Sequence, residues 1–219
     1  INVMKRTLYK SVAASLVITA LSPFGLQLLT PQTVQAVTAT DQVVITLTVD
    51  AGISITSPAD TSMSQNLGVS ASVATASTTW NVKTNNVLGY TLSVNASTSP
   101  AMQSASSSIP DYTPAVANTP ELWSVSSGTY EFGYSAFGSR ISTGTWGTDS
   151  DCNGATINDF STTLKYQNFA TTTRQIATHN ATTTTSGDDA TVCYAVQQNG
   201  SYIPSGTYTA RVTATAITL

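Results

Sequence analysis

Charge, histidine and cysteine are all scarce in this chain of 219 residues. Charged residues make up 9%, against about a quarter in an ordinary soluble domain. Eight Lys and Arg face eleven Asp and Glu, for a net charge of −3. Nucleic-acid affinity rests on basic contacts to phosphate, so that class of partner is excluded. One histidine and two cysteines leave too few ligands for the common zinc sites and too few bases for most histidine catalysis. Beyond the first 36 residues no stretch keeps a 3.6-residue apolar period, which excludes a helical bundle. Hydroxyl side chains are abundant instead: 39 Thr and 28 Ser. The branched Cβ of Thr suits a pleated surface. Composition therefore points to an all-β protein with a structural or binding role.

The N-terminal region has three parts. Lys5, Arg6 and Lys10 form a basic start, residues 11–21 are mostly apolar, and Pro23 ends the run. Val34-Gln35-Ala36 fits the residues before a signal-peptidase cut, so cleavage is expected between Ala36 and Val37. Residues 1–36 read as a secretory signal peptide and 37–219 as one mature β-sandwich domain at the extracellular cell surface. The apolar run is shorter than the roughly 20 residues of a membrane span, so no span is expected in the mature form. A type IV pilin leader fits poorly, because Pro23 and Pro31 interrupt the segment and the first acid is Asp41. A lipoprotein would need a cysteine at the cut. Without the leader, five basic residues face eleven acidic ones, a net of −6.

After the leader, periodicity two dominates. Val43, Ile45, Leu47 and Val49 alternate with Val44, Thr46 and Thr48, the pattern of a strand. Residues 80–94 read as one hairpin, with Trp80 and Val82 before an Asn85-Asn86 turn and Tyr90, Leu92 and Val94 after it. Short strands are expected at 122–125, 130–137, 162–169, 174–178 and 191–196, and the longest at 207–219. Residues 97–120, 138–154 and 180–189 read as loops. About nine short strands in one domain predict an immunoglobulin-like β-sandwich, mainly antiparallel, with long loops.

Three segments carry a resemblance: Asn66-Leu67-Gly68-Val69, the run from Thr79-Trp80-Asn81-Val82 to Gly89-Tyr90-Thr91-Leu92-Ser93-Val94, and Pro204-Ser205-Gly206-Thr207-Tyr208-Thr209-Ala210. Together they resemble secreted bacterial surface proteins of β-sandwich type. They are distantly similar to WxL-type cell-wall proteins and to strand-exchanging pilus or filament subunits. The sequence departs from WxL itself, since Trp80-Asn81-Val82 and Trp123-Ser124-Val125 end in Val. The resemblance implies a structural or adhesive role without a reaction. The residues up to Leu219 carry no sortase-type motif or apolar anchor, so attachment is expected through copies of the chain itself or through wall polymer or glycan. The apolar alternation at Val43, Val44, Ile45, Leu47 and Val49 marks a candidate donor strand for a neighbouring subunit; the alternative is pairing within its own sheet.

Candidate sites are few. Cys152 and Cys193 are expected to form a structural disulfide. Asp149, Asp151 and Asn153 start a D-x-D-x-N-G run, with Asp159 beside the twelfth position, so calcium is the one candidate cofactor. The twelfth position itself is Phe160, and the other reading is a polar turn tied down by the disulfide. His179 reads as a solvated loop residue. Glu121 and Glu131 are the only glutamates and the only candidates for a paired-carboxylate hydrolase. Trp123, Tyr130, Phe132, Tyr134, Phe137 and Trp146 either line a sugar-binding face or fill the core. Asn95, Asn180 and Asn199 fit the N-glycosylation acceptor pattern.

Overall fold

A computed structural model describes residues 39–156 and 158–219. The expected leader and its cut at Ala36 and Val37 lie outside the described residues. The sandwich unit begins at Thr48. Its elements in chain order are β1 (Ile53–Ile55), β2 (Val73–Thr84), β3 (Tyr90–Ala96), β4 (Met102–Gln103), β5 (Ser108–Ile109) and β6 (Glu121–Leu122). They continue with β7 (Thr129–Gly138), α1 (Thr143–Trp146), β8 (Lys165–Tyr166), β9 (Arg174–His179), β10 (Asp188–Asn199) and β11 (Val212–Thr218).

Two antiparallel sheets carry the fold. The first has the order β1-β2-β10-β7 and the second β11-β3-β9. The alternation read from the sequence sets their inner faces. Trp80 and Val82 of β2, Phe132 and Tyr134 of β7, and Ala190, Val192 and Val196 of β10 point inward from the first sheet. Tyr90, Leu92 and Val94 of β3 and Ile176 of β9 meet them from the second. All of these side chains are buried, and Phe169 stacks on Tyr134 at 4.3 Å between ring centres. The expected all-β sandwich with one disulfide is the observed architecture.

The expected hairpin over residues 80–94 is not formed. β2 pairs with β1 and β10, while β3 pairs with β11 and β9. The chain between them crosses from one sheet to the other. Both apolar faces thus meet across the core instead of lying side by side. Gly89 makes the corner with φ +84°, and a Cβ there would sit 1.7 Å from the carbonyl oxygen of His179.

A second, smaller core lies on the outer face of the first sheet. Cys193 and Ala195 of β10 project there and pack with Tyr112, Trp123, Val125, Cys152, Leu164 and Tyr166. β10 is therefore buried on both faces from Ala190 to Val196 except at Thr191. The regions expected to be loops, 97–120 and 138–154, contain β4, β5 and α1, and together with 121–125 and 160–169 they supply this cover. Of the strand expected at 162–169 only β8 forms, and of that at 122–125 only Leu122 is in a strand, β6, because Trp123, Val125, Leu164 and Tyr166 anchor a cover and do not extend a sheet. The longest strands are β2 and β10 at 12 residues each, not the last one. In β11 Val212, Ala214 and Ala216 point inward while Thr213 and Thr215 are exposed.

Candidate functional site

The edges of the two sheets differ in how far they are occupied. At β7, Phe132 exchanges backbone bonds with Pro110 and Tyr112, and Tyr134 with Gln167. At β9, Ile141 bridges Ala177 and the Thr178 N–H donates to the Arg140 carbonyl. At β2, the carbonyls of Asn81 and Thr75 accept from Thr56 and Ser64. Only the short interval of Ser77 and Thr79 lies between them.

β11 is different. It pairs through all seven residues with β3 on one side. The ladder is anchored at its ends by Ser97 N–H to Arg211 carbonyl at 3.0 Å and Leu219 N–H to Gly89 carbonyl at 3.1 Å. In an antiparallel ladder such bonded pairs recur at every second residue. Odd-numbered positions therefore bond to β3. The N–H and C=O groups of Val212, Ala214, Ala216 and Thr218 point to the opposite side, where no hydrogen-bond partner occurs among the described residues. No Lys, Glu, Asp or Pro stands between Val212 and Leu219. Those are the residues that usually blunt an exposed edge.

The donor-strand candidates occupy no strand. Val43, Val44, Ile45, Leu47 and Val49 lie outside regular secondary structure and are 72–91% exposed. Soluble chains seldom leave so dense an apolar series in water without a use for it.

The disulfide between Cys152 and Cys193 is formed, across 41 residues of sequence. It pins the loop of the calcium candidates onto the outer face of β10. In that loop Asp149 Oδ2 accepts from the Ser161 hydroxyl at 2.7 Å, which holds its carboxyl below the ordinary range. Asp151 Oδ1 accepts from the Asn153 N–H, and Asp159 Oδ1 from the Phe160 N–H. Asn153 Oδ1 accepts from the Thr75 hydroxyl. The four residues thus make turn and docking bonds. Among the described residues no three His, Cys, Asp or Glu converge as metal ligands.

His179 corrects the sequence reading. It ends β9, its side chain is only 11% exposed, and Nδ1 lies 2.7 Å from Asp188 Oδ2. The same carboxylate oxygen takes Arg140 Nε at 3.3 Å and the Tyr90 hydroxyl at 3.2 Å. Burial, reinforced by Asp188, pushes the Tyr90 phenol well above its usual range. This cluster ties the end of β9 to the start of β10, one strand from each sheet. It was missed because residues 180–189 read as a polar loop, whereas β10 starts at Asp188. The signal was present: Asp188 shares parity with Ala190, Val192, Tyr194 and Val196, the inward positions.

Glu121 and Glu131 both bond to the segment 112–115. Glu121 Oε1 accepts from the Tyr112 hydroxyl and the Ala115 N–H, and Glu131 Oε2 from the Thr113 N–H. Burial raises the Glu131 carboxyl above its ordinary value. The aromatic set is core: Trp123, Phe132, Tyr134 and Trp146 are buried, and Tyr130 and Phe137 pack against the two clusters. Of the glycosylation candidates, Asn180 is exposed in the turn after β9. Asn95 and Asn199 are half-buried, with side-chain amides bonded to the carbonyls of Ala96 and Val125.

Fold and edges together define a disulfide-bonded all-β sandwich with, among the described residues, one long unpaired sheet edge. No protein-family model, curated protein or solved structure matches the chain. Its disulfide is a bond of oxidising compartments. Among the described residues no helix is long and apolar enough to cross a membrane.

Proposed function

We propose that the chain is a secreted, non-enzymatic structural subunit of an extracellular filament or pilus-like polymer, joined by β-strand complementation between copies. Residues 41–49 act as the donor strand. The observation that carries this reading is the exposed alternation of Val43, Ile45, Leu47 and Val49. Paired to a neighbour's edge, those side chains leave water, and each contributes about 1.5–3 kcal/mol when fully buried. In strand-addition complexes backbone ladder bonds supply affinity and the alternate side chains set the register. Low charge supports the same reading, because little repulsion opposes association. A wall- or glycan-binding module is the lesser alternative, since the aromatics it would need are packed in the core.

The test is assembly of the full chain, followed by sedimentation velocity and electron microscopy. The wild type is expected to form polymers, and Leu47→Asp to stay monomeric and folded. A wild type that remains monomeric, or a Leu47→Asp variant that assembles equally well, defeats the proposal.

A further inference from the structure

We infer that the acceptor for the donor strand is the free edge of β11, so that residues 43–49 of one copy extend the β11-β3-β9 sheet of the next to four strands. The inference rests on the reading above and goes beyond it by assigning the receiving surface. Three observations select this edge.

The first is hydrogen-bond supply. Val212, Ala214, Ala216 and Thr218 offer four N–H and four C=O groups at regular spacing on one side of β11, without partners among the described residues. The free interval of β2 spans only Ser77 and Thr79, and the edges of β7 and β9 are met by loops. A strand of seven residues needs a ladder of about 23 Å, and among the described edges only β11 provides that length.

The second is the incomplete cover of the core beside it. Ala210, Val212, Ala214 and Ala216 point toward the core yet stay half-exposed, and their side chains are small. The donor segment carries the bulk that this margin lacks: Ile45 and Leu47 on one face of a strand, with Val43 and Val49 beside them. The third is matching outer faces. Thr213 and Thr215 of β11 would stand beside Thr46, Thr48 and Val44 of the incoming strand, favourable cross-strand neighbours. Neither segment carries a charge from 43 to 49 or from 212 to 219.

Residue-resolved hydrogen exchange on the full chain tests the assignment, comparing assembled wild type with the Leu47→Asp monomer. The amides of Val212, Ala214, Ala216 and Thr218 are expected to exchange about 100-fold more slowly in the assembly. Those of Thr213, Thr215 and Ile217, already bonded to β3, serve as the internal reference. Ala214→Pro provides a second arm. It removes one outward N–H without breaking a bond to β3, a position where an edge strand tolerates proline. The concentration needed for assembly is expected to rise at least about tenfold. If the wild type assembles and Leu47→Asp does not, yet the four amides exchange equally in both, the β11 assignment is overturned while the donor reading stands. If assembly fails in the wild type or survives Leu47→Asp, the donor reading falls and the assignment with it.

Discussion

Replacing both cysteines, Cys152→Ser with Cys193→Ser, removes the one covalent clamp in the sandwich, and its cost can be worked out. The bond closes a segment of 41 residues. Loop-closure entropy for that length gives about 13 cal/mol/K, or about 4 kcal/mol at 25 °C, in the chain-entropy model. In a domain of this size 1 kcal/mol moves the melting temperature by about 2–4 °C, so a drop of about 8–16 °C is expected. The effect should be strongest on the outer face of β10. There Cys152 and Cys193 are buried beside Trp123, Leu164 and Tyr166, and the loop around Asp149 to Asp159 is held down by the bond. Calorimetry gives the global loss. Limited proteolysis then locates it: cleavage within 149–159 should precede cleavage anywhere in β2 or β10. A melting shift under about 2 °C, or first cleavage in the inner sheets, refutes the reasoning that the disulfide both stabilises the fold and fastens this cover.

Two further substitutions probe the same face. Gly133→Ala places a Cβ 2.7 Å from Tyr112 Cβ and 2.8 Å from Trp123 Cζ3, so overpacking should cost about 2 kcal/mol in chemical denaturation; an unchanged midpoint would show that the Tyr112–Trp123 stack yields freely. Ser161→Ala removes the hydroxyl that lowers the Asp149 carboxyl. A carboxylate whose folded pKa is depressed contributes stability above its unfolded pKa of about 3.9 and loses it as pH falls through the folded value. The variant should therefore be less stable by about 1 kcal/mol at pH 7, a figure kept small because Asp149 is solvated, and by less at pH 2. An equal loss at both pH values would mean that the charged bond is not the cause.

Legibility followed the alternation. Residues 130–137 and 191–196 were readable as strands because one face of each is apolar throughout, and β7 and β10 extend just beyond them. The partnership of β2 with β3 was not readable. Turn residues such as Asn85-Asn86 and Gly89 serve a hairpin and a sheet-to-sheet crossing equally well, and only the choice of neighbours separates the two. The disulfide followed from having two cysteines, whereas the Asp188 cluster needed β9 and β10 brought together from different sheets. The alternation at 43–49 was legible as strand-forming, but what pairs with it is a property of edges, not of residues.

By itself the sequence determined an all-β chain with alternating inner faces, one disulfide and an apolar segment at 43–49, because period, composition and cysteine count are local quantities. Tertiary structure decided which strands share a sheet, that His179 is held against Asp188, and which edge stays open. Those outcomes depend on which hydrogen-bonding groups are already paired. Pairing is settled between residues as far apart as Val94 and Ala214, whose ladder leaves the outer side of β11 without a partner among the described residues.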